Sequence, residues 1–342
     1  MRRLGAAIAL FLLAGCATPR PVPTPPLTPE PRSLSLSVLP GWGEEDHAGA
    51  LAALVETCAQ RRLSTPGLCE SARRTQPADA RRFFEARFRA IPIDGEGLLT
   101  AYFAPEYEAR ETPDEVFSAP VKPKPAGLVR GADGKYPAWK TRAEIEIEDG
   151  PALAWMKPED LFFLQIQGSG FLTFPNGRRA RAAYAADNGR PFVGIARPMA
   201  ERGLLPPNGT SGEAIRAWLA VHRGPEAQAI TDLNPRYIFF VLEPDDGGHP
   251  KGAANVPLPA GRAIAVDPAF HEYGSLYWIE GEVGTLTGAM RDYRRLVLAL
   301  DTGGAIKGPV RADLYLGRGE AAGLEAGRVK HPLRMWRIVP VK

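Results

Sequence analysis

The last hundred residues alternate short apolar runs with turn-forming stretches. The runs are four or five residues long and separated by segments containing Gly, Pro and Asp. This spacing is typical of a small closed β-barrel. The strands predicted there cover residues 263–266, 275–279, 296–299, 312–316 and 335–339.

The first half of the chain mixes helical and strand-like patterns. Helices are predicted over 48–61 and 79–90, and phenylalanines at helical spacing in the second indicate core packing. The pattern becomes strand-like after Gly97, and Ser211 is placed to cap a later helix. Further predicted strands cover residues 98–103, 161–167, 170–174, 179–184 and 237–242.

Composition favours a turn-rich β protein over a helical bundle. The 342 residues include 36 Gly and 34 Pro, about a fifth of the chain. The 42 basic and 39 acidic residues give a net charge of +3, so we expect no nucleic-acid partner. The length allows two domains, or one domain with a large insertion.

The N-terminus has the pattern of an export signal. A basic pair precedes the apolar run 4–13, which is too short to span a bilayer and ends at Cys16. The run Leu13-Ala14-Gly15-Cys16 resembles a bacterial lipobox, so we expect a lipoprotein signal over 1–15 and lipidation of Cys16. A plain signal peptide is the alternative. The Pro-rich stretch 16–34 then forms an extended tether, and Ala17 favours an outer membrane lipoprotein facing the periplasm.

Two cysteines follow the tether. In an oxidising periplasm, Cys58 and Cys69 could form a disulfide across a short loop that contains Pro66 and Gly67. Two buried thiols are the alternative. Cysteine and histidine show no zinc spacing and no nucleotide loop is present, so we expect no metal and no cofactor.

Three aspartates stand where a predicted strand meets a turn: Asp267, Asp301 and Asp313. At the mouth of a barrel, half-buried acids near one another have a raised pKa and can act as general acids. The alternative is that each is a turn former. His271, near Asp267, is interpreted as a solvated loop residue.

The tripeptide Asp301-Thr302-Gly303 also resembles the active-site motif of aspartic proteases. Such enzymes need two of these carboxylates, and the chain contains one such tripeptide, so a protease would have to be a homodimer. We regard the dimeric protease as the least favoured hypothesis.

Several longer segments carry a family resemblance. From about Gly95 to the C-terminus, the chain resembles the membrane-bound lytic murein transglycosylase A family, MltA. The most specific block begins Asp301-Thr302-Gly303-Gly304. The segments that carry the resemblance are 97–105, 163–170, 267–268, 274–277, 301–308 and 311–317.

The resemblance implies a mainly β fold. A double-psi β-barrel domain would combine residues 35–105 with 240–342, with a few peripheral helices. A smaller inserted β domain over 106–239 would form the other wall of a glycan groove. The role of residues 35–94 is not indicated by any motif.

The resemblance also implies an activity. It is the cleavage of the β-1,4 bond between N-acetylmuramic acid and N-acetylglucosamine of peptidoglycan, leaving a 1,6-anhydromuramyl end. The family's catalytic acid corresponds to Asp313, with Asp301 as a tuning or orienting neighbour, although spacing alone does not choose between them. A non-catalytic, expansin-like peptidoglycan-binding module is the main alternative.

Polar side chains in the matching segments are candidate glycan contacts. Gln165 and Gln167 have the alternative interpretation of exposed strand residues. The basic cluster Arg178, Arg179 and Arg181 is interpreted as solvated surface, with peptide-stem carboxylates as the alternative. Cell-wall synthesis and division proteins are candidate partners. The candidate substrate-binding residues are Thr100, Tyr102, Gln165, Gln167, Ser169, Asp267 and Lys307.

Overall fold

The computed structural model describes residues 33–60, 66–205, 210–286, 290 and 292–341. The segment Arg32–Lys342 forms one compact unit. The predicted signal, Cys16 and nearly all of the tether lie outside the described residues. Among the helices that the structure describes, none has the length and apolar character needed to cross a membrane.

Helices occur in three places along the chain. Three precede the first strand, five lie within the central region, and one follows the penultimate strand. They are α1 (His47–Thr57), α2 (Pro66–Arg74), α3 (Ala80–Arg87), α4 (Arg142–Glu146), α5 (Pro158–Gln167), α6 (Ala196–Glu201), α7 (Gly212–Val221), α8 (Pro225–Thr231) and α9 (Gly319–Ala326).

Twelve strands make up the sheets of the described residues. They are β1 (Phe88–Ala104), β2 (Glu106–Glu108), β3 (Ala119–Pro120), β4 (Trp155–Met156), β5 (Gly170–Thr173), β6 (Arg179–Asp187), β7 (Ile238–Pro244), β8 (Ala263–Ala265), β9 (Leu276–Glu282), β10 (Asp292–Asp301), β11 (Arg311–Arg318) and β12 (Lys330–Pro340).

Six strands close into a barrel in the order β1-β11-β8-β10-β9-β12. The pairs β1–β11 and β8–β10 are parallel, and the other neighbours are antiparallel. One apolar cluster draws residues from all six strands, among them Leu99, Ile264 and Leu314, and fills the interior. The prediction of a mainly β protein with a double-psi β-barrel, an inserted smaller β domain and peripheral helices is confirmed.

The segment before β1 covers an outer face of the barrel. Trp42 packs edge-on against Trp278 of β9, with ring centroids 5.2 Å apart. Glu45 accepts a hydrogen bond from the backbone N–H of Leu296 and pairs with Arg262. A disulfide joins Cys58 to Cys69, whose Cα atoms are 5.7 Å apart. This segment therefore shields the apolar outer side of β9 and β10.

The central region carries a four-stranded sheet in the order β2-β5-β6-β7. Its own apolar core includes Tyr107, Leu172 and Phe240. The last strand, β7, continues to Pro244 and so crosses the expected boundary between residues 239 and 240. As predicted, Ser211 caps α7 by accepting a hydrogen bond from Ala214 N.

Two predictions of local structure were wrong. Residues 161–167 form the larger part of helix α5, not a strand. Pro158 occupies the first turn of this helix, and Gly168 ends it with a φ of +80°, which is the usual arrangement of these two residues at helix ends. The helix predicted over 79–90 ends at Arg87, because Phe88 already has extended backbone and begins β1.

Candidate active site

Strand register places two of the three aspartates on either side of one residue. Asp313 of β11 pairs with Ala265 of β8, and Asp301 of β10 pairs with the same Ala265. Two strand spacings separate the two Cα positions, which is about 10 Å. The short strand β8 is therefore the spacer that holds two carboxyl groups at one level of the sheet.

Both carboxyl groups lie on the outer wall of the barrel, not at its mouth as predicted. Ala312 and Leu314 belong to the interior cluster. Since neighbouring side chains of a strand point to opposite faces, Asp313 between them points outward. A register irregularity between Ala299 and Asp301 turns Asp301 toward the same face as Ala265.

The Asp313 carboxyl group has one protein partner among the described residues. The Thr100 hydroxyl donates to its Oδ1 atom, and Arg311 Nη2 in turn donates to the Thr100 hydroxyl over 2.8 Å. Because guanidinium can only donate, the single proton of Thr100 has to point at Asp313. The Oδ2 atom of Asp313 makes no hydrogen bond with any residue that the structure describes.

Burial raises the pKa of Asp313 above its ordinary value. The Thr100 hydrogen bond and the Arg311 charge oppose this rise, whereas the charge of Asp301 adds to it, and burial prevails. Asp313 is therefore an acid that keeps its proton to higher pH than a free aspartic acid does.

The Asp301 carboxylate is held by three donors. Its Oδ1 atom accepts from Ala253 N at 3.0 Å and from Thr302 N at 2.9 Å, and its Oδ2 atom accepts from the Tyr102 hydroxyl at 2.7 Å. Burial raises the pKa of Asp301 in spite of these hydrogen bonds. Both oxygens of Asp301 are therefore engaged, in contrast to those of Asp313.

An aromatic pair lies beside the two acids. The rings of Tyr102 and Tyr315 are 5.3 Å apart, and the Tyr315 hydroxyl lies 3.0 Å from His249 Nδ1. Burial and the nearby Asp301 charge raise the pKa of Tyr102 well above its usual range, so Tyr102 remains a donor. Sequence reasoning missed Tyr315, Arg311 and His249, although Arg311 and Tyr315 lie two residues from Asp313 and share its face.

The third aspartate, Asp267, organises a loop. Its side chain accepts hydrogen bonds from Gly308 N at 3.0 Å and Ala269 N at 3.2 Å, and Lys307 Nζ lies 3.8 Å away. Burial alone would raise the pKa of Asp267, but these backbone donors and the Lys307 charge outweigh it, so the pKa is lowered. Asp267 thus stays ionised and anchors residues 302–308, while most of the Lys307 side chain is exposed.

The interpretation of His271 as a solvated residue was wrong. Its side chain is buried, with Nδ1 3.0 Å from the Tyr277 hydroxyl and Nε2 2.9 Å from Pro309 O. His271 is therefore a buried residue that contacts Pro309, directly after the loop 302–308.

Three candidate glycan contacts, Gln165, Gln167 and Ser169, lie at or just after the end of α5. Gln165 is buried, and neither of its amide atoms has a hydrogen-bond partner in the described residues. The Gln167 Oε1 atom is likewise buried without a partner. Ser169 lies between Gly168 and β5, and Gly170 packs against Pro105 at the end of β1. Gln165 and Gln167 are therefore helical residues, not the exposed strand residues of the alternative.

The predicted basic cluster is mostly engaged in ion pairs. Arg181 pairs with Glu243, and Arg179 pairs with Glu106 and Asp245. Arg178 stacks on Phe174 with its Cζ atom 3.6 Å from the ring centroid. The prediction of solvated surface holds for Arg178 and Arg179, whose side chains are exposed, and was wrong for Arg181, whose side chain is mostly buried.

A further arginine joins the barrel to the inserted sheet. Arg318, at the end of β11, pairs with Glu106 at 3.0 Å and with Asp245 at 2.9 Å. Its Cζ atom lies 3.3 Å from the ring centroid of Phe171 in β5. This junction, formed by Arg318, Arg179, Glu106, Asp245 and Phe171, fixes the inserted sheet next to the outer wall that carries Asp313.

The inserted domain also approaches the loop that follows Asp301. A Cβ atom on Gly304 would lie 3.4 Å from Phe192 Cβ and 3.8 Å from Arg236 Nη1. Within the described ranges, no group of three or more His, Cys, Asp or Glu side chains could hold a metal ion. The arrangement is thus a pair of desolvated carboxyl groups on a wall flanked by a second domain, which suits acid catalysis on an extended polar ligand.

Comparison with known proteins agrees with this architecture. A family model described as the MltA specific insert domain matches residues 98–241, and one described as the 3D domain matches residues 262–339. The crystal structure of a membrane-bound lytic murein transglycosylase from Agrobacterium tumefaciens superposes with a TM-score of 0.78 at 34% identity, covering 90% of this chain and 97% of that chain. This chain belongs to the MltA family.

Other members of the MltA family are similar over most of this chain. The Vibrio cholerae membrane-bound lytic murein transglycosylase A is 35% identical over 254 residues, or 71% of this chain. That alignment spans 66% of the relative, just under two thirds of its length. A structure of Escherichia coli MltA with bound chitohexaose superposes with a TM-score of 0.67 at 27% identity, covering 87% of this chain and 91% of that chain.

The family membership corrects one hypothesis. The Asp301-Thr302-Gly303 segment belongs to an MltA-family barrel, not to a dimeric aspartic protease. The Asp301 carboxyl group has its acidic neighbour, Asp313, in the same chain.

Proposed function

We propose that the protein is a lytic transglycosylase with Asp313 as its single acid and base. The substrate is the β-1,4 bond between N-acetylmuramic acid and N-acetylglucosamine, and the product carries a 1,6-anhydromuramyl end. The observation that carries this proposal is the contrast between the two acids, since among the described residues one oxygen of Asp313 accepts no hydrogen bond and both oxygens of Asp301 do. The relatives named lytic murein transglycosylases support the same reaction.

The proposed reaction begins with the protonated Asp313. Its Oδ2–H donates a proton to the bridging oxygen as the bond from that oxygen to C1 of the muramyl residue breaks. The C6 hydroxyl of the same muramyl residue attacks C1 and closes the anhydro ring. The Asp313 carboxylate accepts the proton of this hydroxyl, which restores the acid. Because the nucleophile is already attached to the sugar, no second carboxylate is needed to position water.

The surrounding residues would prepare Asp313 for this cycle. Thr100 fixes the orientation of the carboxyl group through Oδ1, and burial raises the pKa of Asp313, which favours its protonated form. Asp301, held by Tyr102 and two backbone amides, would supply a fixed negative charge toward the positive charge that develops on C1. Glycan would lie along the outer wall of the barrel, next to the two carboxyl groups and between the barrel and the inserted domain. Binding of an oligosaccharide by a family member is supported by the Escherichia coli MltA structure with bound chitohexaose.

Digestion of purified sacculi tests the proposal. We expect mass spectrometry to find soluble fragments with 1,6-anhydromuramyl ends. Reducing ends would indicate hydrolysis and contradict the proposed use of the C6 hydroxyl. The absence of soluble products would favour the non-catalytic binding module.

We also propose that the mature protein is an outer membrane lipoprotein, anchored through Cys16 and facing the periplasm. The support is the lipobox in the sequence and the membrane-bound relatives. Labelled palmitate should enter the wild-type protein and should not enter a Cys16→Ala variant, and the wild type should co-fractionate with outer membranes. Label in the variant would overturn the assignment of Cys16.

A further inference from the structure

A cationic cavity lies in the inserted domain, and neither Asp301 nor Asp313 is among its lining residues. Its volume is about 400 Å³, and its walls include Arg130, Lys135, Arg190 and Arg236. One acid, Asp187, also lines it. Four cations and one carboxylate leave a net charge of +3 around a space large enough for several non-hydrogen atoms, so the cavity favours an anionic ligand.

The single acid does not neutralise the cavity. Asp187 accepts hydrogen bonds from Arg236 at 2.9 Å, from the Tyr184 hydroxyl at 2.7 Å and from Gly189 N at 2.8 Å. Its oxygens are therefore occupied by Arg236 and two neutral donors. In the ranges that the structure describes, Arg130, Lys135 and Arg190 have no carboxylate within 4.0 Å, so three charges remain free for a ligand.

Two of these cations are held in place by neutral contacts. Arg190 donates from Nε to Trp139 O over 2.9 Å, which leaves its terminal nitrogens free to point at a ligand. The Arg130 Cζ atom lies 4.9 Å from the ring centroid of Tyr136, and the Tyr136 hydroxyl donates to Ala185 O. Such fixed guanidinium groups lose little conformational entropy on binding.

The cavity depends on a close backbone approach at Gly189. This residue has a φ of +64°, and a Cβ atom on it would lie 2.2 Å from Pro137 O. The turn that carries Asp187 and Arg190 can therefore pack against residues 136–137 only with glycine here. The cavity is thus formed by two chain segments that glycine allows to meet.

The cavity lies next to the loop that follows Asp301, one of the two acids of the proposed site. Arg236 forms part of its wall and lies beside Gly304, on the loop that starts at Asp301. Three residues of chain, at most about 10 Å, separate Gly304 from Asp301. A four-residue peptide attached to a muramyl residue extends about 13 Å, which is longer than the chain path from Asp301 to Gly304.

We infer that this cavity binds the carboxylates of the peptide stem carried by the muramyl residues of the substrate. This inference rests on the proposed function and names a determinant of substrate choice within it. Stem peptides carry several free carboxylates, and the paired N–H groups of Arg130 and Arg190 match a carboxylate in geometry and charge. The protein accordingly prefers peptide-bearing glycan to bare glycan.

The test compares the double variant Arg130→Gln/Arg190→Gln with wild type on three substrates. These are peptide-bearing glycan strands, strands freed of peptide by an amidase, and peptide-bearing strands whose carboxylates have been converted to amides. We expect the ratio of kcat/KM for peptide-bearing over peptide-free strands to fall about tenfold in the variant. Amidation should lower the wild-type ratio by a similar factor and should leave the variant ratio unchanged.

An exposed arginine of the same domain, Arg202, supplies the matched control. Arg202→Gln should keep the wild-type ratio. Equal losses on peptide-bearing and peptide-free strands in the double variant would overturn the inference, because the arginines would then serve the fold or the glycan. An unchanged ratio would overturn it as well. Wild-type protein that forms no anhydromuramyl ends on any substrate would instead refute the proposed function.

Discussion

Aspartates at strand ends behave in opposite ways in two regions of this molecule. At the junction, Asp245 follows β7 and is almost fully buried, yet hydrogen bonds from Arg318 lower its pKa. On the barrel wall, Asp301 and Asp313 are also taken out of water, and burial raises the pKa of both. Burial acts in the same direction in both regions, and the two guanidinium groups at the junction reverse its effect.

The comparison shows how the surroundings of Asp245, an acid in an ion-pair network, differ from those of Asp313, the proposed catalytic acid. Asp245 is paired with two arginines, Arg179 of the neighbouring strand β6 and Arg318 of barrel strand β11, and the second pair joins it to the barrel. Asp313 has an arginine in its vicinity as well, but Thr100 stands between Arg311 and the carboxyl group. A neutral hydroxyl in that position orients the acid without imposing a full ion pair, so the acid can keep its proton.

We expect the largest loss of activity from replacing Asp313 on the barrel wall. Asp313→Asn keeps the size of the side chain but cannot donate a proton to the bridging oxygen, so we expect activity to fall about a thousandfold. Release of anhydromuramyl products from sacculi measures this loss. Asp292→Asn, at the exposed start of β10, is the matched control and should retain wild-type activity.

Breaking the junction should act on stability instead. Arg318→Met leaves the buried Asp245 without its main partner, and we expect the free energy of unfolding to fall by about 3 kcal/mol. Denaturant titration measures it. Arg178→Met removes a similar stacked but exposed arginine and should cost less than about 0.5 kcal/mol. Equal effects of the two variants would contradict the importance of the junction.

Removing the hydroxyl between Arg311 and Asp313 should change the pH profile. Thr100 donates to the Asp313 carboxylate and so lowers its pKa. Thr100→Val removes that hydrogen bond, and the alkaline limb of kcat/KM should move to higher pH, because the acid must be protonated to react. We also expect about a tenfold loss at the optimum from poorer orientation. Thr285→Val, whose hydroxyl donates to Lys330 O, should leave the profile in place.

The smallest expected effect is on the pH dependence of stability. The pKa of Asp313 is raised by folding, so its contribution is fully present below the unfolded pKa of about 4 and is lost as pH rises through the folded value. Asp313→Asn should therefore raise Tm at pH 7 and leave it unchanged near pH 3. Scanning calorimetry measures both.

The contribution of Asp245, at the junction, to the pH dependence of stability has the opposite sign to that of Asp313. The pKa of Asp245 is lowered by folding, so its contribution is present above the unfolded pKa and is lost as pH falls. Asp245→Asn should lower Tm at pH 7, and the difference should shrink toward pH 3. A parallel response of Asp245→Asn and Asp313→Asn would show that the two regions do not differ as described.

The sequence predicted the barrel strands and the acids better than the central region. Short apolar runs bounded by turns have a single good interpretation, whereas the apolar run 161–167 satisfies both a strand and a helix by composition. Pro158 and Gly168 were the signals that favour the helix. The length of an apolar run and the residues at its ends distinguish a helix from a strand, whereas its hydrophobicity does not.

The surroundings of the acids could not be read from the sequence. Whether Asp301 and Asp313 meet depends on the register of β8, in which Ala265 faces both. Thr100 and Tyr102 were identified by their motif, but the pairing of Thr100 with Asp313 follows from the parallel register of β1 and β11. The hydrogen bond from Tyr102 to Asp301 of β10 is likewise a tertiary contact. The roles of Asp267 and His271 as loop anchors likewise depend on backbone groups that have no signature in the sequence.

The contact between Thr100 and Asp313 joins residues 213 positions apart. A chain that leaves the ribosome or a membrane channel N-terminus first therefore has no oriented acid until nearly all of it has emerged. The barrel can also close only after β12, the last strand of the chain, has been made and has paired with β1. Under the proposed function, a form of the chain that ends before Asp313 lacks its catalytic acid, so cleavage of glycan would begin only after nearly the whole chain has been made and has folded.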